Sequence, residues 1–332
     1  MKLSIIIVNY KTAGLVIDCL ASLYRFSMDD TEVIVVDNDS EDNVEERLSN
    51  DYPSVRFIQV GYNAGFARAN NVGINMSRGD AVLLLNADTI IHEDAVQECF
   101  QRLINSDYVA AGVQLLNQDG STQISGNYAM QGGLNYLLPL PVSGKFFKWL
   151  ASLLGVKKTN VAEATILTEV DWINGAFLMV KRSAIDKVGL LDVDFFLYFE
   201  EAEWCSRLHK AGKLCIYGDL HVTHLQGVAA NEAFGSAGKG YYNLSDKKGF
   251  QIMLSCFLRL RKEFGVGWML FMYFFYLVNI PVYGIAVLIK NIFNNAENDF
   301  SKNWSGFADN VIKIMSFLPQ IISAKPYFYK VL

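Results

Sequence analysis

The first 90 residues alternate between short apolar runs and segments whose apolar residues recur at helical spacing. Four apolar, β-rich runs lie at residues 3–8, 32–40, 55–60 and 79–89. The intervening segments with a helical pattern are residues 15–26, 43–50 and 61–77. This alternation predicts an α/β fold with a mostly parallel sheet flanked by helices.

Polar residues follow three of the predicted strands at the point where each strand ends. The clusters are Asn9 and Tyr10 at the first strand, Asp37, Asn38 and Asp39 at the second, and Asn86 and Asp88 at the fourth. In open parallel sheets, ligands bind at the carboxyl ends of the strands, so the three clusters predict one site. Asn and Asp also form turns after strands, which is the alternative for any single cluster.

The first strand is followed by "VNYKTAG", so the glycine pattern of a dinucleotide-binding fold is missing. The phosphate-loop motif of nucleoside triphosphatases is missing as well. A nicotinamide-dependent dehydrogenase is therefore disfavoured. The net charge of −5 and the lack of a basic stripe disfavour nucleic acid as a partner. The five cysteines are odd in number and form no C-x-x-C pair, which favours a reducing, cytoplasmic location.

The pattern loosens between residues 118 and 165, where turn formers precede the apolar stretch "LPLPVSGKFFKWLASLLG". We interpret this region as an insertion or an acceptor-side loop. A strand and a short helix follow at residues 168–189, and then Glu200, Glu201 and Glu203 crowd together. Acidic side chains favour the first turn of a helix, which is one explanation for the cluster. On such a helix Glu203 and Arg207 are four residues apart and can pair.

Six motifs occur in a characteristic order: "SIIIVNY", "IVVDNDS", "GYNAGFARANNVGI", "LLLNADT", "DWINGAFLMVKR" and "YFEEAEWCSRLHKAG". With these motifs the chain resembles the family 2 inverting glycosyltransferases of the GT-A fold, and within them the bacterial rhamnosyltransferase-like branch. The resemblance covers about residues 1–230. It implies a catalytic domain at 1–230 and leaves 231–332 as a C-terminal helical region.

The resemblance implies that a nucleotide-diphosphate sugar lies across the strand ends. Asp37 would accept a hydrogen bond from the pyrimidine base, while Asn9, Tyr10 and Asn63 would shape that pocket. The metal motif of the family corresponds to Asn86-Ala87-Asp88 in this chain.

The motif keeps a single carboxylate, so Mg²⁺ or Mn²⁺ would take its remaining ligands from the diphosphate and water. By the same resemblance His224 in "VTHLQG" would complete the metal site with Asp88. A structural role is the alternative for a single histidine.

The resemblance also assigns the chemistry of the acidic cluster. Glu201 would be the general base that takes the proton of the acceptor hydroxyl, and Glu200 would orient the acceptor or the base. Trp172 offers a flat apolar face to a sugar ring, Asn174 offers a donor and an acceptor, and Gly175 lets the backbone come close. Packing of Trp172 in a strand is the alternative.

We therefore predict a metal-dependent inverting glycosyltransferase that moves a hexose, with L-rhamnose suggested by the branch, from a dTDP- or UDP-linked donor. The acceptor would be a hydroxyl of a polysaccharide or lipid-linked oligosaccharide. A nucleotide-sugar-binding protein without turnover, or a membrane scaffold, is the alternative.

Residues 264–289 form a run of 26 residues without a charge, long enough to cross the roughly 30 Å of a bilayer core. Pro281 is expected to kink or split a helix near the middle of this run. Both flanks are basic, with Arg261 before the run and Lys290 after it. The run therefore predicts a helical hairpin attached to the cytoplasmic face of the inner membrane. The alternative is a buried helical pair, packed on the catalytic domain or in a homodimer interface.

Overall fold

The computed structural model describes residues 2–128, 133–156, 158–225, 227, 231, 234–236, 243–293 and 298–331. The chain divides into two compact units. The first, called the sheet unit, comprises Met1–Met130, Thr159–Phe196 and Glu200–Ala229. The second, called the helical unit, comprises Gln131–Lys158, Leu197–Phe199 and Ala230–Leu332. As a statement about independent domains, the division at residue 230 stays a prediction.

Twelve strands are described in the sheet unit. In chain order they are β1 (Leu3–Asn9), β2 (Thr31–Asp37), β3 (Arg56–Gln59), β4 (Ala81–Asn86), β5 (Thr89–Ile91), β6 (Ala110–Leu116), β7 (Gly126–Asn127), β8 (Asn160–Val161), β9 (Thr168–Val170), β10 (Trp172–Ile173), β11 (Phe177–Lys181) and β12 (Leu214–His224). The described helices of this unit are α1 (Ala13–Leu23), α2 (Val44–Asp51), α3 (Gly65–Met76), α4 (Ala95–Ile104), α6 (Arg182–Val188) and α7 (Glu200–Ala211).

The central sheet has the strand order β3-β2-β1-β4-β11-β6-β12-β5, and β9 pairs with β12. The first four strands of the chain pair in parallel, as do β6 and β12, whereas β11, β5 and β9 run antiparallel to their neighbours. A smaller sheet has the order β10-β7-β8. The predicted mostly parallel α/β architecture is confirmed.

Both faces of the central strands are buried, which explains why these strands appear in the sequence as continuous apolar runs. On β1, Ile5 and Ile7 belong to one apolar cluster and Ile6 belongs to the other. The helices α1 and α4 cover the first face, and α3, α6 and α7 cover the second. The two covered faces leave the strand ends as the place where polar side chains gather.

The helical unit is built from α5 (Ser143–Leu153), α8 (Lys247–Phe293) and α9 (Asn298–Ser323), with a 3-10 helix at Gly133–Leu137. The region that the sequence predicts as an insertion or a loop thus contains a helix, α5. The hydroxyl of Tyr273 on α8 donates to the carbonyl of Val311 on α9 at 3.0 Å. Nε1 of Trp304 donates to the carbonyl of Ile280 at 2.9 Å, so this part of α8 runs antiparallel to α9.

The prediction that Pro281 splits the apolar run is wrong, because the break lies at Gly265 instead. α8 is helical through Pro281, and its non-helical residue is Gly265, with φ 86° and ψ 172°. A proline in a helix interior costs about 3 kcal/mol, and packing against α9 on both sides of Pro281 offsets that cost. α8 folds back on itself at Gly265, because the ring of Phe257 meets those of Tyr273 and Tyr276 with centroids 5.5 and 5.1 Å apart. A turn is therefore present at Gly265, at the start of the apolar run, and the part of α8 that follows it runs antiparallel to α9.

Among the described helices, α8 is long and apolar enough to cross a membrane. Only 33% of its most apolar 18-residue window is buried. Since core helices of soluble proteins can have the same length and composition, membrane attachment stays a proposal.

Candidate active site

The polar strand ends that the sequence predicts as one site are neighbours in the sheet. Asn9 at the end of β1 pairs in register with Asp37 at the end of β2. Asn86 at the end of β4 lies opposite Val8 on β1. The structure thus brings three of the predicted residues to one edge of the sheet, as parallel pairing requires.

Asn9 is fully buried and holds this edge together. Its Nδ2 donates to Oδ1 of Asp37 at 2.7 Å, to Oγ of Ser40 at 3.0 Å and to Oδ1 of Asp42 at 3.1 Å. Its Oδ1 accepts hydrogen bonds from the backbone and hydroxyl of Thr12. The side-chain amide of Asn9 is therefore hydrogen-bonded to other protein groups, and its role in the pocket is to position Asp37.

Asp42 also belongs to this site, although the sequence pattern did not predict it. It accepts from Asn9 and also from the backbone N–H of Ala13 at 2.9 Å, at the start of α1. Asp37 in turn accepts from the backbone N–H of Ser40 at 3.0 Å and is only 2% exposed. The acidic stretch after β2 could have suggested Asp42, because several acids follow a strand end there.

The loop that carries Asn63 is bound to the end of β2 by Asn38. The side chain of Asn38 donates to the carbonyl of Gly65 at 3.0 Å and accepts from the N–H of Ala64 at 3.1 Å. Asn63 itself accepts from the N–H of Gly65 at 3.1 Å. Tyr10 is half-buried, and Lys11 lies over its ring at 5.5 Å from the centroid. Asn63 and Tyr10 therefore lie on segments that adjoin the strand ends.

The same loop is fixed to the segment before α7. Gly65 has φ +71°, and an added Cβ would overlap the carbonyl oxygen of Phe196. The N–H of Phe66 donates to that carbonyl at 2.8 Å. On α3, Asn71 exchanges hydrogen bonds with the backbone of Leu191 at 2.8 and 3.0 Å. These contacts attach the start of α7 to the predicted nucleotide pocket.

Asp88 and His224 lie together at the ends of β4 and β12. Oδ1 of Asp88 is 3.4 Å from Nε2 of His224, and the two side chains are 4% and 8% exposed. Nδ1 of His224 lies 3.1 Å from Oε1 of Gln123, and Nε2 of Gln123 donates to the His224 backbone carbonyl at 2.6 Å. Gln123 thus orients the imidazole towards Asp88, and no sequence signal points to it, because it lies in a region of turn formers.

The Asp88–His224 pair suits a divalent ion that takes further oxygen ligands from its substrate. A carboxylate oxygen and an imidazole nitrogen are both ordinary ligands of such ions. Within the described residues no group of three or more His, Cys, Asp or Glu side chains could hold a metal. The protein itself would therefore supply a partial ligand set, as the sequence predicts.

Asn86 connects this pair to the "DWINGAF" segment. Its backbone N–H donates to the carbonyl of Ala176 at 3.0 Å, and its side chain is half-buried. Next to Ala176, an added Cβ on Gly175 would lie 3.3 Å from Cγ of Glu201 and 3.4 Å from its Cβ. The structure therefore brings the predicted base against the loop between β10 and β11, which is hydrogen-bonded to Asn86 of the predicted metal motif.

The other two predicted sugar contacts have structural roles as well. Asn174 donates to the carbonyl of Ile124 at 3.2 Å and accepts from the N–H of Ala176 at 3.0 Å. Trp172 is half-buried and packs against the apolar cluster on the α7 side of the sheet. Contact of either side chain with a sugar stays a prediction.

The acidic cluster occupies the first turn of α7, and its three members have different environments. Glu203 forms a bidentate pair with Arg207 at 2.7 and 2.6 Å, as the i,i+4 spacing predicts. Arg207 also donates to the carbonyl of Val188 at 2.7 Å. Glu203 is therefore accounted for by a structural pair, which leaves Glu200 and Glu201 for chemistry.

Glu200 is 3% exposed, and its Oε2 has no hydrogen-bond partner among the residues that the structure describes. Burial, and then the neighbouring charge of Glu201, raise the pKa of the Glu200 carboxyl well above its ordinary value. Glu201 is half-buried. When two adjacent carboxyls differ in this way, the buried one holds a proton and the other carries the charge.

Comparisons with known proteins support this interpretation of the chain. Residues 4–162 match the family model for glycosyl transferase family 2. The low-salt glycan biosynthesis hexosyltransferase Agl10 of Haloferax volcanii is 30% identical over 214 residues, which are 63% of this chain and 62% of that protein. The N-acetylglucosaminyl-diphospho-decaprenol L-rhamnosyltransferase of Mycobacterium tuberculosis is 27% identical over 232 residues, covering 65% of this chain and 73% of that one.

A solved structure has the same fold. GalNAc-T7, crystallised with UDP, GalNAc and Mn²⁺, superposes with a TM-score of 0.50 at 13% identity, covering 67% of this chain and 43% of that one. At this identity the likeness concerns the fold alone. Residues 4–162 thus carry a match to glycosyl transferase family 2, and the mostly parallel sheet flanked by helices has the GT-A architecture that the sequence predicts.

Proposed function

We propose that the protein is a metal-dependent inverting glycosyltransferase that moves a hexose from a nucleotide-diphosphate donor to a hydroxyl of a lipid-linked glycan. One observation carries the proposal. Glu201 packs on Gly175 beside the end of β4, the strand that leads into the buried Asp88–His224 pair. A candidate base and a candidate metal site therefore adjoin one strand end in one compact unit.

The donor would lie across the ends of β1, β2 and β4. Asp37 would accept a hydrogen bond from the pyrimidine base, since each of its carboxylate oxygens has more than one lone pair to offer. Asn9 would hold Asp37 in place, and Tyr10 and Asn63 would line the pocket. A carboxylate fixed by two protein hydrogen bonds is a rigid acceptor, and rigidity favours selective binding.

The diphosphate would lie near Asn86, Asp88 and His224. A bound Mg²⁺ or Mn²⁺ would offset the negative charge that builds up on the diphosphate as it leaves. The Asp88–His224 pair suits both Mg²⁺ and Mn²⁺, since both ions accept oxygen and imidazole ligands.

Glu201 would accept the proton of the acceptor hydroxyl as the hydroxyl oxygen forms its bond to the anomeric carbon. The bond between that carbon and the diphosphate oxygen breaks on the opposite face, and its electron pair leaves with the nucleoside diphosphate. Glu200 would keep its own proton, so that Glu201 is the carboxylate in the ionised, basic form. Trp172, Asn174 and Gly175 would contact the sugar.

The relatives suggest the substrates. The mycobacterial relative is named as an L-rhamnosyltransferase acting on N-acetylglucosaminyl-diphospho-decaprenol, and the haloarchaeal relative as a hexosyltransferase. By this similarity we propose dTDP-L-rhamnose as the donor, with a UDP-sugar as the alternative. The acceptor would be a polyprenyl-diphosphate-linked saccharide, and the enzyme would then work at the cytoplasmic face of the inner membrane.

The apolar surface of α8 supports attachment to that membrane. Several of its apolar side chains are more than one third exposed, among them Phe271, Phe274, Val278 and Ile285. A homodimer through this surface is the competing arrangement. Sedimentation of the full-length chain without detergent, with and without vesicles, separates the two.

The function is tested by release of nucleoside diphosphate from a panel of nucleotide sugars in the presence of Mn²⁺ and a lipid-linked acceptor. We expect release with a single preferred donor, and a rise in the unfolding temperature with that donor because a bound ligand stabilises the folded state. Binding without release would favour a nucleotide-sugar-binding protein. If no donor is bound and none is cleaved, the proposal is overturned and the membrane scaffold is the remaining alternative.

A further inference from the structure

The helix α5 presents apolar side chains to solvent along one face. Phe146, Trp149 and Leu153 are 55%, 57% and 63% exposed, and their i, i+3, i+7 spacing places them on one stripe with Leu150. Phe146 and Trp149 lie with their ring centroids 5.8 Å apart. An amphipathic helix of a soluble domain ordinarily buries such a stripe, so the exposed stripe of α5 indicates a surface that works in contact with something else.

The other side of α5 is attached to α8 within the helical unit. The ring of Phe147 meets that of Phe275 edge-on, with centroids 6.3 Å apart. The hydroxyl of Ser143 donates to Oδ1 of Asn279, one helical turn further along α8. These contacts hold the helix in place, so its exposed stripe is a fixed part of the unit's surface.

The exposed side chains of α8 extend the same surface. Phe271 and Phe274 are 43% and 58% exposed, and both rings contact Phe275, the residue that packs on α5. Val278, next to Asn279, is 41% exposed. We call the set that α5 and α8 form together the apolar face; its residues are Phe146, Trp149, Leu150, Leu153, Phe271, Phe274 and Val278.

The charges around the apolar face distinguish a lipid surface from a second copy of the chain. Residues 120–162 contain no Asp or Glu, although the whole chain has a net charge of −5. The same segment has lysines at positions 145 and 148 on α5 and at position 158 shortly after it. A symmetric dimer would bring these like charges towards one another, whereas an anionic bilayer surface attracts them.

We propose that α5 is an interfacial anchor, lying in the plane of an anionic bilayer with Phe146, Trp149, Leu150 and Leu153 among the headgroups and upper acyl chains. Its 11 residues are too few to span a bilayer core, which takes about 20. A basic helix with an exposed Trp and aliphatic side chains on one face has the composition of an interfacial helix. The assignment extends the membrane attachment proposed above and rests on no step of the sugar transfer.

The test is co-sedimentation of the full-length chain with phosphatidylcholine vesicles that contain or lack phosphatidylglycerol. We expect the double variant Trp149→Glu, Leu153→Glu to lose at least about tenfold in affinity for the anionic vesicles, because charged groups replace the inserted side chains. The matched control is Ile166→Glu, an apolar residue of the sheet unit that is 72% exposed, and it should bind as the natural chain does. The double variant Lys145→Gln, Lys148→Gln should weaken binding only when phosphatidylglycerol is present.

Fluorescence gives a second readout that is independent of affinity. Trp149 should shift its emission to the blue on vesicle binding and be quenched by lipids brominated along the acyl chain, and Trp149→Phe should bind while losing that component. Unchanged vesicle binding by the Trp149→Glu, Leu153→Glu variant would overturn the proposal. If that variant instead changes a dimer into a monomer, the apolar face is an interface between copies.

The two proposals fail separately. Normal release of nucleoside diphosphate with a water-soluble acceptor, combined with no vesicle binding, would overturn the anchor alone. Vesicle binding that depends on Trp149 and Leu153, without release from any donor, would overturn the sugar transfer alone.

Discussion

Oδ1 of Asp88 lies 3.4 Å from Nε2 of His224, and this buried pair joins two strands that are far apart in the sequence. Oε1 of Gln123 lies 3.1 Å from Nδ1 of His224. One ring nitrogen is therefore held by the protein, and the other, Nε2, points to the Asp88 carboxylate. Such orientation of a histidine through its second nitrogen is a usual feature of metal sites.

We therefore expect Asp88→Ala and His224→Ala each to weaken Mn²⁺-dependent donor binding by at least about tenfold. The effect of Asp88→Ala should be larger, because it removes the anionic ligand. Calorimetric titration of the donor with and without Mn²⁺ measures both, with Asp51→Ala, an exposed carboxylate at the end of α2, as the control. Donor binding that EDTA leaves unchanged would contradict the metal assignment.

For the base, we expect Glu201→Gln to lower turnover by at least about 10²-fold while the donor affinity stays nearly constant. The reason is that glutamine keeps the shape of the side chain and cannot take up a proton. The comparison is Glu203→Gln, which loses the charge of the Arg207 pair and should lower the free energy of unfolding by about 1–3 kcal/mol. Turnover per folded molecule should then survive in Glu203→Gln; the reverse pattern would move the base to Glu203.

The raised pKa of Glu200 predicts a pH dependence of stability. Burial makes the folded state hold this proton more tightly than the unfolded chain, so the stabilisation is complete below the unfolded pKa. It is lost as the pH rises through the folded-state pKa. Because glutamine cannot ionise, Glu200→Gln should unfold at increasingly higher temperature than the natural chain as the pH rises above about 5. Thermal unfolding across pH checks this, with the exposed Glu46→Gln as control, and a pH-independent difference would refute it.

The glycine at the start of α3 should be intolerant of a side chain. In Gly65→Ala the new Cβ would overlap the Phe196 carbonyl and the backbone would keep an unfavourable positive φ, so we expect a loss of about 3 kcal/mol or more. Gly61 has φ +80° with open space around its Cβ position, so Gly61→Ala should lose only about 1–2 kcal/mol. Denaturant unfolding of both variants measures the difference, and equal losses would show that the Phe196 contact gives way.

The contact between Gly175 and Glu201 provides a test through positioning. In Gly175→Ala the added Cβ lies 3.3 Å from Cγ of Glu201 and should displace the carboxylate, lowering turnover by about tenfold with little change in stability. Gly14 lies in α1 with open space around its Cβ position, so Gly14→Ala should keep turnover and gain about 0.5–1 kcal/mol. Steady-state kinetics and unfolding of both variants decide whether the Gly175 contact matters for the reaction.

The sequence by itself determined the local elements and the part of the site that follows from parallel pairing. Continuous apolar runs predicted the buried strands, because a strand covered on both faces has no polar alternation. Asn9, Asp37 and Asn86 came together as predicted, since neighbouring parallel strands end at the same edge. The pairing of Glu203 with Arg207 was equally local, as it depends only on the helical repeat.

Contacts between distant segments were decided by the tertiary structure alone. The sequence pattern does not reveal that Gln123 orients His224. It also does not reveal that the side-chain amide of Asn9 is hydrogen-bonded to Asp37. Local rules also placed the break of the long apolar helix at Pro281, where packing on α9 preserves the helix. The exposed stripe of α5 belongs to the same class, because an amphipathic sequence specifies an apolar side and only the surrounding packing determines whether that side is covered.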